Sequence, residues 1–193
     1  MTWQAAWEEG RTPWDAGKSA PVLHSILDTL PEGRALVPGA GSGYDVLALA
    51  SEARSVVGLD LSPVAKMKFE EFAQGHPHRD RVDFVVGDAF DYSPAEPFNL
   101  VWDYTFLCAL PPELRPQWLE LIDRVLHPDG ELAALIFPVK PDADPNEGPP
   151  YPMSPELVTK LVSPILVPIS VSAVEQSNPG REGKEWLGRY RRK

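Results

Sequence analysis

A single cysteine, Cys108, stands in 193 residues. No intramolecular disulfide can form, and no Cys/His cluster has the spacing of a zinc site, so no metal is expected. No apolar run approaches the ~18–20 residues that cross a bilayer, and no membrane partner is expected. The opening Met1-Thr-Trp-Gln4 has neither the basic start nor the apolar stretch of a secretory leader. The expectation is a soluble, cytoplasmic protein. Positive charge is scarce as well: 18 Lys and Arg stand against 28 Asp and Glu, a net charge of −10. Such a chain repels a phosphate backbone, which argues against a nucleic-acid partner. The exception is residues 181–193, where Arg181, Lys184, Arg189, Arg191, Arg192 and Lys193 face only Glu182 and Glu185. Such a tail could hook an anion, but taken by itself it reads more simply as a solvated terminus.

Proline and tryptophan are in surplus, with 22 and six copies. Glycine has no period and apolar residues make up 43% of the chain, so collagen-like and low-complexity readings fail. The length suits one domain, 1–193, with one core. Strand and helix signals alternate, which predicts an α/β sheet. Strands are expected at 34–38, 55–60, 81–87, 99–104 and 131–139, and helices at 44–53, 62–73 and 112–126. A closing antiparallel pair is expected at 166–174 and 186–191. Residues 140–155 contain six prolines and read as a long irregular loop, of the kind that walls a pocket. A short helix then starts at Ser154-Pro155.

The strongest chemical signal is the strand–turn–helix at Leu36-Val-Pro-Gly-Ala-Gly-Ser-Gly43. Glycines let the backbone approach a ligand closely and aim amides at it. The dinucleotide fingerprint Gly-x-Gly-x-x-Gly would need glycine at Tyr44. The spacing here is Gly39-x-Gly41-x-Gly43, the tighter form usual in S-adenosylmethionine enzymes. Asp60 ends the second strand, where a carboxylate can accept from both ribose hydroxyls. Asp88 ends the third and can meet an adenine edge. Trp3 and Trp7 share a helix face at a spacing of four, and Trp14 follows in Thr12-Pro-Trp-Asp15. Aromatic faces attract a sulfonium as they attract ammonium groups, and the arm that carries them can cap a cofactor.

Together these segments resemble the thiol/halide methyltransferase branch of the thiopurine S-methyltransferase family, especially its plant and fungal members. The matching runs are Trp3 to Asp15, Arg34 to Asp45, Val57-Gly-Leu-Asp-Leu-Ser62 and Asp103-Tyr-Thr-Phe-Leu-Cys-Ala109. They continue with Arg115-Pro-Gln-Trp118, Pro128-Asp-Gly-Glu-Leu132, Gly148-Pro-Pro-Tyr151 and Gly183-Lys-Glu-Trp-Leu-Gly-Arg189. The resemblance implies a class I S-adenosylmethionine-dependent methyltransferase: Rossmann-like, with a seven-stranded, mostly parallel sheet and an antiparallel C-terminal hairpin. It implies cofactor contacts at Trp3, Trp7, Trp14, Gly39, Asp60, Asp88, Ala89 and Tyr104, with residues 1–30 as a lid. The acceptor pocket is then expected at Phe106, Cys108, Phe137 and Tyr151, beside the 140–155 loop. Pro38 stands where many class I enzymes place an acid, and Phe137 where relatives often carry tyrosine.

The implied reaction moves the cofactor's methyl to a small soft nucleophile: a thiol or bisulfide, thiocyanate or a halide. Such a nucleophile needs no general base, so no catalytic residue is expected. His24 and His127 are read as helical and His76 and His78 as polar-loop residues, and none of the four is given a catalytic part. The protein is expected to be a monomer that meets a small-molecule substrate. A thiopurine-type or other small-molecule S-methyltransferase stays open, as do a nicotinamide oxidoreductase and a non-catalytic nucleotide-binding module.

Overall fold

The computed structural model describes residues 3–193. Chain order alternates as the sequence predicts, after an arm carrying two short helices, α1 (Trp3–Glu8) and α2 (Pro21–Ile26). Then come β1 (Gly33–Pro38), α3 (Tyr44–Leu49), β2 (Arg54–Asp60), α4 (Pro63–Phe72), β3 (Val82–Val86) and β4 (Phe98–Tyr104). The second half holds α5 (Arg115–Val125), β5 (Leu126–Ile136), α6 (Pro155–Val162), β6 (Leu166–Ala173) and β7 (Trp186–Arg192). The strands form one seven-stranded sheet in the order β3-β2-β1-β4-β5-β7-β6. β1 to β5 run parallel, and β7 lies antiparallel between β5 and β6. This is the mostly parallel sheet with an antiparallel C-terminal hairpin that the resemblance implies.

Alternation along each strand divides the core into two layers, because successive side chains leave opposite faces. Ala35, Val37, Leu100 and Trp102 pack with Leu23, Val46 and Phe69 from α2, α3 and α4. Leu36, Val101, Leu132 and Ala134 pack on the other face with Trp118, Ile122 and Val158 from α5 and α6. Trp118 is fully buried, and truncating such a side chain to alanine costs about 3–5 kcal/mol. Two helices start on serine caps. Ser62 Oγ accepts from the amides of Val64 and Ala65, and Ser154 Oγ from that of Leu157. Both serines are followed by the proline that suits a first helical turn.

Boundaries differ from expectation in several places. The helix after the glycine turn stops at Leu49, short of residue 53, because Ala50 is already extended and Ser51 pairs with Arg54. The region 112–126 divides into a 3-10 turn, Pro112–Leu114, and α5, which opens around a proline. β5 begins at Leu126 and ends at Ile136; Val139 makes only an isolated bridge with Met153. His127 therefore lies in a strand, not a helix. Among the described residues, no helix is long and apolar enough to cross a membrane.

Strand order reverses between β1 and β4, so the chain leaves their carboxyl ends in opposite directions and opens a crevice there. Both the glycine turn after Pro38 and the turn after Tyr104 border this crevice.

Candidate functional site

Above the carboxyl ends of the strands lies a cavity of about 600 Å³, within the usual size of small-molecule sites. One side is made by Gly39, Gly41, Asp60, Leu61, Asp88 and Ala89. Gly39 and Gly41 both adopt positive φ, 62° and 55°, a conformation that side chains with a Cβ resist. A Cβ on Gly39 would also stand 2.7 Å from the Phe106 ring. Asp60 closes the turn from below: its Oδ2 accepts from the Gly41 amide at 2.8 Å and its Oδ1 from the Ser62 amide at 2.9 Å. Burial raises the Asp60 pKa, opposed by these bonds and one from the Leu61 amide. Asp88 is exposed and accepts from the Phe90 amide at 2.9 Å, while Ala89 is buried. Arg124 of α5 steadies this edge through the Phe90 and Tyr92 carbonyls, at 2.8 and 3.1 Å.

The three N-terminal tryptophans form the roof. Trp14 meets Trp3 and Trp7 edge-on, with ring centroids 5.1 and 5.8 Å apart. Trp7 is buried against Gly41, and all three line the cavity. The helical spacing read from the sequence does place Trp3 and Trp7 together, on α1.

The opposite side is apolar. Phe106, Cys108, Leu110, Leu114 and Phe137 line it, together with Pro149 and Pro150 from the proline-rich loop. Tyr151 does not line the cavity, which corrects its expected position. Its amide donates to the Cys108 carbonyl at 2.7 Å, tying the loop down so that the two preceding prolines face inward. Beneath this wall Asp103 is fully buried, accepting from the Leu107 amide at 3.1 Å and Trp118 Nε1 at 2.8 Å. Its pKa rises to about 6 through burial, with those bonds opposing. Burial also pushes the Cys108 thiol to about 12, helped by Asp103 and opposed by Arg181. Cys108 is thus a neutral wall residue.

Tyr104, like Tyr151, does not line the cavity; it borders a smaller recess with Gly39, Gly41 and Asp45. Its hydroxyl donates to Glu185 Oε1 at 2.5 Å and accepts from Arg181 Nη1. Burial and the bond to Glu185 raise its pKa, so the phenol stays protonated. Thr105, a β-branched residue, follows at φ 68°, a strained backbone of the kind that collects at functional sites.

Arg181 was not among the residues expected here. The C-terminal basic residues divide: Lys184, Arg191 and Lys193 are exposed, whereas Arg181 is 9% exposed and lines both the cavity and the recess. Its guanidinium lies 4.7 Å from the Phe137 ring centre and 5.0 Å from that of Tyr104. Nη2 donates to the Trp14 carbonyl at 2.6 Å. Arg189 is likewise engaged, by two bonds to Glu131 at 2.5 and 2.9 Å, and Arg192 bonds Asp123 at 2.6 Å. Net charge along the sequence cannot distinguish a spent cation from a free one. The only sequence signal was the glycine-rich turn around Arg181 that precedes the last strand.

Among the described residues, no histidine lines the cavity and no group of acids, histidines and cysteines could hold a metal. Three charged side chains line it: Asp60 and Asp88 on the glycine side, and Arg181 on the other.

Comparisons with known proteins agree with this architecture. The thiopurine S-methyltransferase family pattern matches residues 1–186. Thiocyanate methyltransferase 1 of Arabidopsis thaliana is 42% identical over 98% of this chain and 84% of its own length. A probable thiol methyltransferase 2 of the same plant shows the same identity and coverage. Among solved structures, Burkholderia thailandensis 1,6-didemethyltoxoflavin-N1-methyltransferase superposes with a TM-score of 0.76. It is 20% identical and covers 97% of this chain and 84% of its own. That likeness shows the class I methyltransferase fold. With the sheet order, the glycine turn and a family match spanning nearly every residue, the chain belongs to the thiopurine S-methyltransferase family.

Proposed function

We propose that this protein transfers the methyl group of S-adenosylmethionine to a small soft nucleophile: thiocyanate, bisulfide or another thiolate, or a halide ion. The observation that carries the reading is one continuous cavity, with acids and glycines on one side and an apolar wall with one cation, Arg181, on the other. The names of the two plant relatives support the same acceptor class.

The glycine side fits the cofactor. Asp60 retains a face toward the cavity and would accept from the ribose hydroxyls, while Ala89 and Asp88 would border the adenine. Trp3, Trp7 and Trp14 would cover the sulfonium end, with Tyr104 beside them, and the arm 1–30 would serve as the lid. S-adenosylmethionine held there would supply an electrophilic methyl group for the acceptor's lone pair, with the carbon–sulfur pair kept by sulfur and S-adenosylhomocysteine left behind.

The chain's own part is alignment and dehydration. Tyr104 and Cys108 both hold their protons firmly, and no histidine lines the cavity. Among the described residues, the apolar wall offers no histidine or carboxylate as a general base, which suits an acceptor that arrives as an anion. Phe106, Cys108, Phe137, Pro149 and Pro150 would strip its water, and Arg181 would offset its charge. The test is headspace detection of methyl thiocyanate, methanethiol and iodomethane from the three acceptors in turn. All three products are expected. Calorimetry showing no S-adenosylmethionine binding at millimolar concentration would sink the reading.

A further inference from the structure

Glu185 is 1% exposed, at the head of β7, and no expectation from the sequence gave it a part. Its Oε1 accepts the Tyr104 hydroxyl proton at 2.5 Å, and Oε2 has no hydrogen-bond partner among the described residues. No lysine or arginine of the described residues forms an ion pair with it. The same hydroxyl oxygen accepts from Arg181, so one phenol bridges the buried carboxylate and the one cationic side chain that lines the cavity among the described residues. Backbone bonds hold the arrangement at both ends. The Val174 amide donates to the Glu185 carbonyl at 3.2 Å, and the Val139 amide to the Lys184 carbonyl at 2.9 Å.

Two consequences follow from this geometry. With its proton committed to Glu185, the Tyr104 oxygen can turn only lone pairs toward Arg181, and that fixes the guanidinium over Phe137. The carboxylate also lies one hydroxyl away from the guanidinium in a poorly hydrated region, where charge interacts strongly. The positive field that reaches the apolar wall is therefore that of a largely compensated pair.

We propose that Glu185 is a positioning and specificity-determining residue. Acting through Tyr104, it offsets Arg181, so that the acceptor site selects anions by ease of dehydration and not by charge alone. A compensated site favours a soft, weakly hydrated anion such as thiocyanate. A bare guanidinium in the same place would attract hard anions as well, chloride included. The substrate class rests on the methyl-transfer reading; the electrostatic role of Glu185 does not.

The test measures anion binding without turnover, by calorimetry with thiocyanate and with chloride on protein saturated with S-adenosylhomocysteine. Glu185→Gln keeps the shape and an acceptor oxygen but removes the charge. It is expected to tighten thiocyanate about tenfold and to bring chloride binding into range. Glu185→Asp keeps the charge and should stay within twofold of the native protein for thiocyanate. A gain of affinity is a readout that structural damage would not produce. Should Glu185→Gln not fold, Glu185→Met, uncharged and similar in length, carries the same expectation. Unchanged or weaker thiocyanate binding in the uncharged variant, or equal tightening in Glu185→Asp, overturns the proposal. If the native protein binds thiocyanate without methylating it, the acceptor reading falls while the role of Glu185 is still decided by the same titrations.

Discussion

Asp60 and Asp103 stand near the carboxyl ends of two parallel strands, β2 and β4, and both have pKa values raised by burial. Both carboxylates accept an amide from the turn that follows. Their remaining valence differs. Asp103 is closed off by the Trp118 indole and reads as a floor beam under the acceptor wall. Asp60 braces the glycine turn through Gly41 yet still borders the cavity. The lesson is that a strand-end acid marks a binding site only where its last lone pairs face open space.

The largest effect expected from this contrast belongs to Asp103. Its pKa is about 6 in the fold against roughly 3.9 unfolded, so the folded state holds the proton more tightly. The stability this confers is fully present below about pH 4 and is lost as pH rises through 6, on the order of 3 kcal/mol. Denaturant titrations from pH 4 to 7 should show that slope in the native protein and a flatter one in Asp103→Asn. Identical slopes would refute it. Asp60→Ala, by contrast, should weaken S-adenosylmethionine binding more than tenfold by calorimetry; unchanged affinity would remove Asp60 from the ribose role. Arg181→Gln should raise KM for thiocyanate about tenfold while the cofactor Kd moves less than threefold. The reverse split would put Arg181 on the cofactor's side of the cavity. Trp3→Ala, at a half-buried position of the roof, should cost about threefold in cofactor affinity with little change in Tm. A larger loss there than for Asp60→Ala would mean that the lid, and not the strand ends, dominates binding.

The glycine side of the cavity was legible in the sequence because it is built locally. Gly39 and Gly41 form a turn within a few residues of β1, Asp60 and Asp88 follow β2 and β3, and Trp3 and Trp7 share one helix face. Each of these needs only a helix or strand period to be placed. The acceptor side is assembled across long separations. Tyr104 meets Arg181 and Glu185 from 77 and 81 residues away, and Pro149 and Pro150 line the cavity beside a Tyr151 amide bonded to the distant Cys108 carbonyl. No periodicity encodes such meetings. That is why Tyr151 was expected one layer too close and the basic tail was read as solvated. Element ends were misjudged for a related reason. Leu126 and His127 look helical in isolation, but Leu126 pairs with Phe98 in the sheet and His127 continues the same strand.

The sequence by itself determined the alternating α/β plan, the glycine turn, the acids that follow the strands and the aromatic arm, since propensity, spacing and side-chain chemistry suffice for each. Only the tertiary structure decided which charges are spent. The antiparallel insertion of β7 between β5 and β6 carries Glu185 and the loop before it under the mouth of β4. There one phenol separates a buried carboxylate from the cavity's cation. Their separation is a property of packing, and charge interaction depends on distance and burial, neither of which a linear chain records.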